Sequence, residues 1–327
     1  MQRRVLAALA AAAALTIAMP GGVQAQIRPY GPNYFPNLPV VTQDGKTVQF
    51  YDDLIKDKIV IVSFIYTSCP DICPISTARL TQVEDKLGNR MGKDFFIISM
   101  TVDPENDTPE RLKEYSKAFG TGPGWTFVTG KPEDVRAINA KLGDRSKKLA
   151  DHRNEIVLGN DATGQWQRDS VFGDMDRLMI AIRGLDPKWD EDVRVIPNNP
   201  ASNTGYQISP EPGQALFKKV CAPCHTIGVG DRVGPDLRGV VQRRDRGWLA
   251  KFISNPAKMR AEKDPIALEL AARFPAVHMP RMGVSEMDAG DLITYLENQT
   301  AKLTEAQTPP GAPAHDHSQH QPQHHNH

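Results

Sequence analysis

Cysteine is scarce: the 327-residue chain has four, too few to hold a protein of this length together by disulfides. Aromatic residues make up only 7 %, and 39 basic side chains cancel 39 acidic ones. With no net field, nucleic acid and anionic surfaces are not expected partners. After residue 19 no run is long and apolar enough to cross a bilayer. What is present is ordinary globular material, 40 % hydrophobic and 24 % charged. At roughly 150 residues per domain, the length suggests about two domains.

Arg3 and Arg4 precede an apolar stretch over residues 5–19, and small side chains follow at Val23 and Ala25. Residues 1–25 therefore read as a secretory signal, shorter than the roughly 20 apolar residues a spanning helix needs. A periplasmic protein in an oxidising compartment is expected, attached to the membrane only if the signal stays uncleaved.

Over residues 26–189 short apolar runs alternate with helical stretches, the pattern of an α/β layer. Residues 58–66 (KIVIVSFIY) and 95–102 (FFIISMTV) read as buried strands, and a helical stretch follows the first cysteine pair through Leu87. Thr108 and Pro109 start a helix that Gly120 stops, and Pro132 to Leu142 repeats the arrangement before Gly143. A late hairpin is expected around the turn from Asp161 to Gly164. Residues 190–209 hold prolines and no apolar periodicity, which marks a linker. A coil of about 20 residues has a root-mean-square reach of roughly 25 Å, enough for its two flanking domains to meet. Residues 210–300 read as mainly α, with helices over 212–224, 248–253 and 285–297. Residues 301–327 form a polar tail expected to be disordered. Its histidines, from His315 to His327, could gather metal through neutral imidazoles.

The four cysteines fall into two close pairs. Cys221-Ala222-Pro223-Cys224-His225 is a CxxCH run, in which both thiols can add to the vinyl groups of a haem while the adjacent imidazole reaches the iron. One covalent haem c is the expected cofactor. A second axial ligand is wanted, and Met279, Met282, Met287 and His278 are candidates. The stretch from Met279 through Ser285, ahead of a helix, resembles the axial-Met loop of class I cytochromes c, as Gly234-Pro235-Asp236-Leu237 resembles their post-haem segment. That resemblance implies Met279.

Cys69-Pro70-Asp71-Ile72-Cys73-Pro74 lies between a buried strand and a helix, where the helix dipole favours thiolate. Soft thiolates select copper, zinc or iron-sulfur chemistry. A disulfide closing so small a loop would add little stability, and structural zinc would want four ligands. His152, the sole histidine before the linker, is either a structural residue or a third ligand. Asp71 reads as a solvated loop acid or a group supporting the thiols, and Asp103 and Asp107 as turn and cap residues.

Residues 40–46 (VVTQDGK), 64–74 (FIYTSCPDICP), 102–119 (VDPENDTPERLKEYSKAF), 124–130 (GWTFVTG) and the pair Asp151-His152 together resemble successive motifs of the Sco/SenC family. Residues 170–175 match none of its motifs. The resemblance implies a thioredoxin-like fold that binds a copper ion through Cys69, Cys73 and His152. It also implies a metallochaperone role in assembling the copper A centre of cytochrome c oxidase. A subunit of that oxidase, another periplasmic copper protein or a redox carrier is then the expected partner. The overall expectation is an α/β thioredoxin-like domain followed by a mainly α cytochrome c domain.

A haem passes one electron, as does the Cu(II)/Cu(I) couple, whereas a disulfide takes two. The stoichiometry favours electron exchange between haem and copper. A thiol-disulfide oxidoreductase using Cys69 and Cys73 remains open as the alternative, and with it whether the chain is an enzyme.

Overall fold

The computed structural model describes residues 30–146, 148–152, 154–189 and 211–307. The expected signal over 1–25, the linker over 190–209 and the histidines from His315 onward lie outside the described residues. Among those described, no helix is long and apolar enough to cross a membrane.

The first domain is organised around the strand Ile59–Ile65 (β3, in chain order), whose sequence IVIVSFI is rich in β-branched residues and wholly buried. A continuous apolar run of this kind suits a strand covered on both faces. Phe95–Thr101 (β4) runs parallel to it, Ile59 opposite Phe95, and Trp125–Thr129 (β5) runs parallel to β4. On the other side Ile156–Asn160 (β6) is antiparallel to β3 and folds back into Gln165–Asp169 (β7). Pro39–Thr42 (β1) and Thr47–Gln49 (β2) extend the β5 edge. The sheet order is β2-β1-β5-β4-β3-β6-β7.

Helices Ile72–Leu87 (α1), Pro109–Phe119 (α2), Pro132–Leu142 (α3) and Met175–Arg183 (α4) complete the domain. A βαβ unit through α1, an antiparallel hairpin beside it and a closing helix make the thioredoxin-like arrangement, with β5 and α3 widening the sheet. The expected strand and helix starts hold because local signals are strong. Thr108 Oγ1 accepts from Arg111 N at 3.3 Å, Pro109 occupies the first turn, and Gly120 leaves with φ 64°.

Side chains of β3 alternate between two cores. Ile59, Ile61 and Ile65 join Leu80, Leu112 and Leu178 on the α1 side, whereas Val60, Val62 and Phe64 join Ile98 and Ile138 on the α3 side. Each fully buried aliphatic contributes about 1.5–3 kcal/mol. The α1-side core also contains Cys69 and Cys73.

The second domain is all helical: Gln214–Leu216 (α5), which continues as a π-turn over Phe217–Cys221, then Val240–Arg243 (α6), Arg246–Ser254 (α7), Pro256–Ala261 (α8), Pro265–Arg273 (α9) and Glu286–Gln307 (α10). Ala289, Leu292, Ile293, Leu296 and Thr300 repeat at helical spacing and form the buried stripe of α10. Gly213 sits so close to α10 that a Cβ there would lie 2.4 Å from Asp291 O.

Two expectations change. The helix expected over 212–224 is a short α-turn followed by the π-turn. The tail expected from residue 301 begins as helix, because 301–307 contains no breaker ahead of Pro309 and α10 continues to Gln307. Helices α8 and α9 were not anticipated, although both carry readable starts: Asn255 and Asp264 accept from Lys258 N and Ala267 N at 3.1 and 2.9 Å, each ahead of a proline.

Candidate metal centres

The chain leaves β3 at Ile65, makes a turn in which Cys69 N donates to Tyr66 O at 3.1 Å, and enters α1 at Ile72. Asp71, at the N-cap, makes no side-chain cap bond. The cap is sulfur: Cys73 N donates to Cys69 Sγ at 3.3 Å. That bond, with the helix dipole behind it, favours a Cys69 thiolate. The Cys69 thiol is drawn down to about 3 by a hydrogen bond from Cys73, aided by His152 and by backbone amides, against the opposing effect of burial. Cys73 is pushed far up, first by burial and then by the neighbouring Cys69. Both shifts favour negative charge on Cys69 over Cys73.

His152 follows a short turn over Leu149–Asp151, ahead of β6 beside β3, and is 7 % exposed. Its Nε2 lies 3.6 Å from Cys73 Sγ, and its ring meets Tyr66 edge-on at 5.5 Å. The ligand atoms of Cys69, Cys73 and His152 all lie within 4.8 Å of one another. Two sulfurs and one imidazole at that separation can converge on a single soft cation.

Asp107 is where the structure departs from the sequence reading. Its backbone N–H donates to Asp103 O at 2.9 Å, as a turn residue would, but its carboxylate is buried and holds the cysteine turn. Asp107 accepts from Thr67 N at 3.1 Å, from Thr67 Oγ1 and from Thr101 Oγ1. It thereby ties the ends of β3 and β4 together two residues before Cys69. Burial raises the Asp107 pKa, and the threonine hydrogen bonds oppose that rise. The sequence signal was an acid between a strand end and a helix cap, which local rules assign to the turn.

The second pair opens the helical domain. Cys224 N and His225 N both donate to Cys221 O, at 3.1 and 2.9 Å, so one turn presents both thiols and the imidazole. His225 Nδ1 donates to Pro235 O at 2.9 Å, which leaves Nε2 as the nitrogen that could reach a metal. Loss of water pushes the imidazole pKa down, which keeps the ring in its neutral, ligating state. Gly234 packs on that ring so closely that a Cβ would meet Cε1 at 2.5 Å.

Cys221, Cys224 and His225 line a cavity of about 580 Å³, and Met279 and His278 line it too. Met282 instead packs into the helical core, and Met287 is 81 % exposed. Of the three methionines, Met279 alone lines the cavity among the described residues. Leu249, Phe252 and Leu296 supply apolar wall, and Arg243 and Arg244 stand among the cations at its rim. Paired thiols, a neutral imidazole, a thioether and a cationic rim fit a covalently bound porphyrin with its carboxylates.

Residues 34–165 match the family model SCO1/SenC, and residues 210–300 match the model Cytochrome c. The chain joins an SCO1/SenC domain to a cytochrome c domain. An SCO1 protein homolog of Bacillus subtilis is 39 % identical over 89 residues, which is 27 % of this chain and 45 % of that protein. An SCO2-like protein of Rickettsia conorii is 34 % identical over 103 residues, 32 % of this chain and 48 % of that one. The chain thus spans about half the length of these curated relatives.

Among solved structures, Arabidopsis thaliana ScoI with copper bound is 27 % identical, covering 46 % of this chain and 95 % of that one at a TM-score of 0.40. The cytochrome c domain of a Pseudomonas putida protein is 38 % identical, covering 31 % and 99 % at a TM-score of 0.28. The SCO1/SenC model ends at residue 165, yet β7 and α4 pack on the same sheet and core. Residues 170–173, which matched no motif, are held by Arg79 of α1, whose guanidinium donates to Val171 O and Gly173 O.

Proposed function

We propose that this is an exported copper-handling redox protein. Cys69, Cys73 and His152 hold a copper ion, and Cys221, Cys224, His225 and Met279 would hold a haem, which would supply a one-electron couple for that site. The observation that carries the reading is the convergence of two sulfurs and one imidazole, all buried, within 4.8 Å at the mouth of α1. Relatives named for SCO1 and a copper-bound ScoI structure support it. Delivery of copper to the copper A centre of cytochrome c oxidase is the role this site serves in our reading.

The chain's own residues define what each site contributes. Cys69 is the entry ligand, because the Cys73 N–H and the start of α1 favour its thiolate. Cys73 follows by losing its proton to solvent as copper replaces it. His152 adds a neutral nitrogen that helps the site accept either copper oxidation state. In the cytochrome c domain, Pro235 O fixes the His225 ring and Gly234 leaves it room. A bound haem supplies a one-electron couple, matched to Cu(II)/Cu(I).

A second reading has its own observation. One depressed and one raised thiol is the asymmetry of a dithiol oxidoreductase, Cys69 attacking a partner disulfide and Cys73 resolving it. His152→Ala separates the two. Under the first reading it abolishes tight copper binding in a competition titration while leaving dithiol exchange and the haem spectrum intact. Loss of exchange with copper binding unchanged would reverse the assignment.

A further inference from the structure

The two domains meet along α1 and the turn before it. Arg232 of the cytochrome c domain reaches Asp85 Oδ2 at 2.7 Å and Thr81 Oγ1 at 3.5 Å. Two residues before Thr81, Arg79 Nη1 donates to Lys219 O at 3.2 Å, in the turn that leads to Cys221. At the cysteine turn itself, Arg281 N lies 3.4 Å from Asp71 Oδ1.

Apolar contact runs beneath these polar ones. Val233 and Val277 are 5 % and 9 % exposed and belong to the same cluster as Cys69 and Cys73, with Cys224 packed against it. Three separate pieces of the cytochrome c domain therefore cover α1 from its first residues to Asp85: the turn before the haem cysteines, the loop after them, and the Met279 loop. Tyr115, 2 % exposed and bonded to Thr77 of α1, belongs to the same cluster as Cys69 and Cys73.

Such a contact does two things at once. It brings a haem-bearing cysteine against the core that holds the copper thiols. It also sets Arg281 of the Met279 loop against Asp71, inside the Cys69 to Cys73 turn.

We propose that the cytochrome c domain is a cis-acting gate on the copper site: docked on α1 it shields Cys69, and the site opens to a copper acceptor only when that domain moves off. The proposal extends the reading of the two sites given above, with docked and open forms serving electron exchange and copper handover in turn. No bond is made or broken in gating, since the two forms differ in position alone.

The test is the rate at which iodoacetamide alkylates Cys69 in the full-length, haem-loaded, copper-free, reduced protein, followed by mass spectrometry at one pH. Thr81→Arg places a second cation against Arg232 and should speed Cys69 labelling by about tenfold, because two like charges then crowd one carboxylate, that of Asp85, in a part-buried contact. Arg232→Glu, facing Asp85, should give a smaller rise of roughly twofold to fivefold, the size of an exposed ion pair. Adding Asp85→Arg to Arg232→Glu should bring the rate back to that of the unaltered chain.

An unchanged haem absorption spectrum and far-ultraviolet dichroism show that each variant is folded, and the restoring pair decides the matter should Thr81→Arg fail to fold. Equal labelling in all four proteins would overturn the gate. Failure of the functional reading looks different: Cys69 shielded in the unaltered chain and labelled in the variants, with no copper bound by any of them, removes the copper assignment and leaves the gate standing.

Discussion

The two proposed metal sites are built in opposite ways. The haem side is nearly a local object: three of its residues sit in five consecutive positions, and one backbone turn presents them together. The copper side is a tertiary object, since Cys73 and His152 are 79 positions apart and meet only after β3, α1 and β6 have packed. A local motif survives damage to the fold around it, whereas a tertiary one depends on what holds its pieces in place. The difference predicts which substitutions remove a site outright and which loosen it.

The largest effect is expected on the local side. Replacing Cys221 and Cys224 together by Ser should leave no covalent haem, scored by haem stain on a denaturing gel, while copper binding at the other domain persists. Haem retained through denaturation would break the assignment of those thiols. Next is His152→Ala, which removes one of three ligands and should weaken copper binding at least about a hundredfold, roughly 2.7 kcal/mol. Competition against a chelator measures it, and an affinity within a few-fold of the unaltered chain would remove His152 from the site.

A third substitution sharpens the haem side. Met279→Leu should abolish the absorption band of thioether-ligated ferric haem, and Met287→Leu should leave it unchanged, because Met279 lines the cavity and Met287 is in solvent. The reverse pattern would contradict the placement of the loop.

The smallest expected effect concerns the support of the tertiary site. Asp107→Ala leaves Thr67 N and two hydroxyls without their acceptor, and should cost about 1–3 kcal/mol in chemical denaturation of the first domain. The pH dependence has a definite sign. Burial lifts the Asp107 pKa above its unfolded value. Its contribution to stability is then full below the unfolded pKa and is lost as pH rises through the folded one. Asp107→Asn should flatten that acid-side slope. An unaltered slope would mean that Asp107 titrates as it does in the unfolded chain.

This contrast also explains what could be read from the sequence. The strands at β3 and β4 were legible because they are continuous apolar runs with a single buried location each, and α2 and α3 because proline and glycine bracket them. The CxxCH motif was legible because its chemistry is its spacing. His152 could be placed only through family resemblance: nothing local distinguishes a ligating histidine from a structural one when its partners lie in another part of the chain. Asp107 escaped for the same reason, its turn signature hiding a carboxylate aimed at two neighbouring strands. The helix end at Gln307 was missed because polarity was taken for disorder, although helix-forming residues and the missing breaker argued otherwise. The contact of α1 with the cytochrome c domain had no signature at all, since its pieces come from separate loops.

The most direct check is metal and haem analysis of the same purified, thiol-reduced full-length protein, made with haem maturation and given Cu(I) in slight excess. The account predicts one tightly held copper ion per covalent haem. Protein carrying its haem but taking up no copper at Cys69, Cys73 and His152 would contradict it.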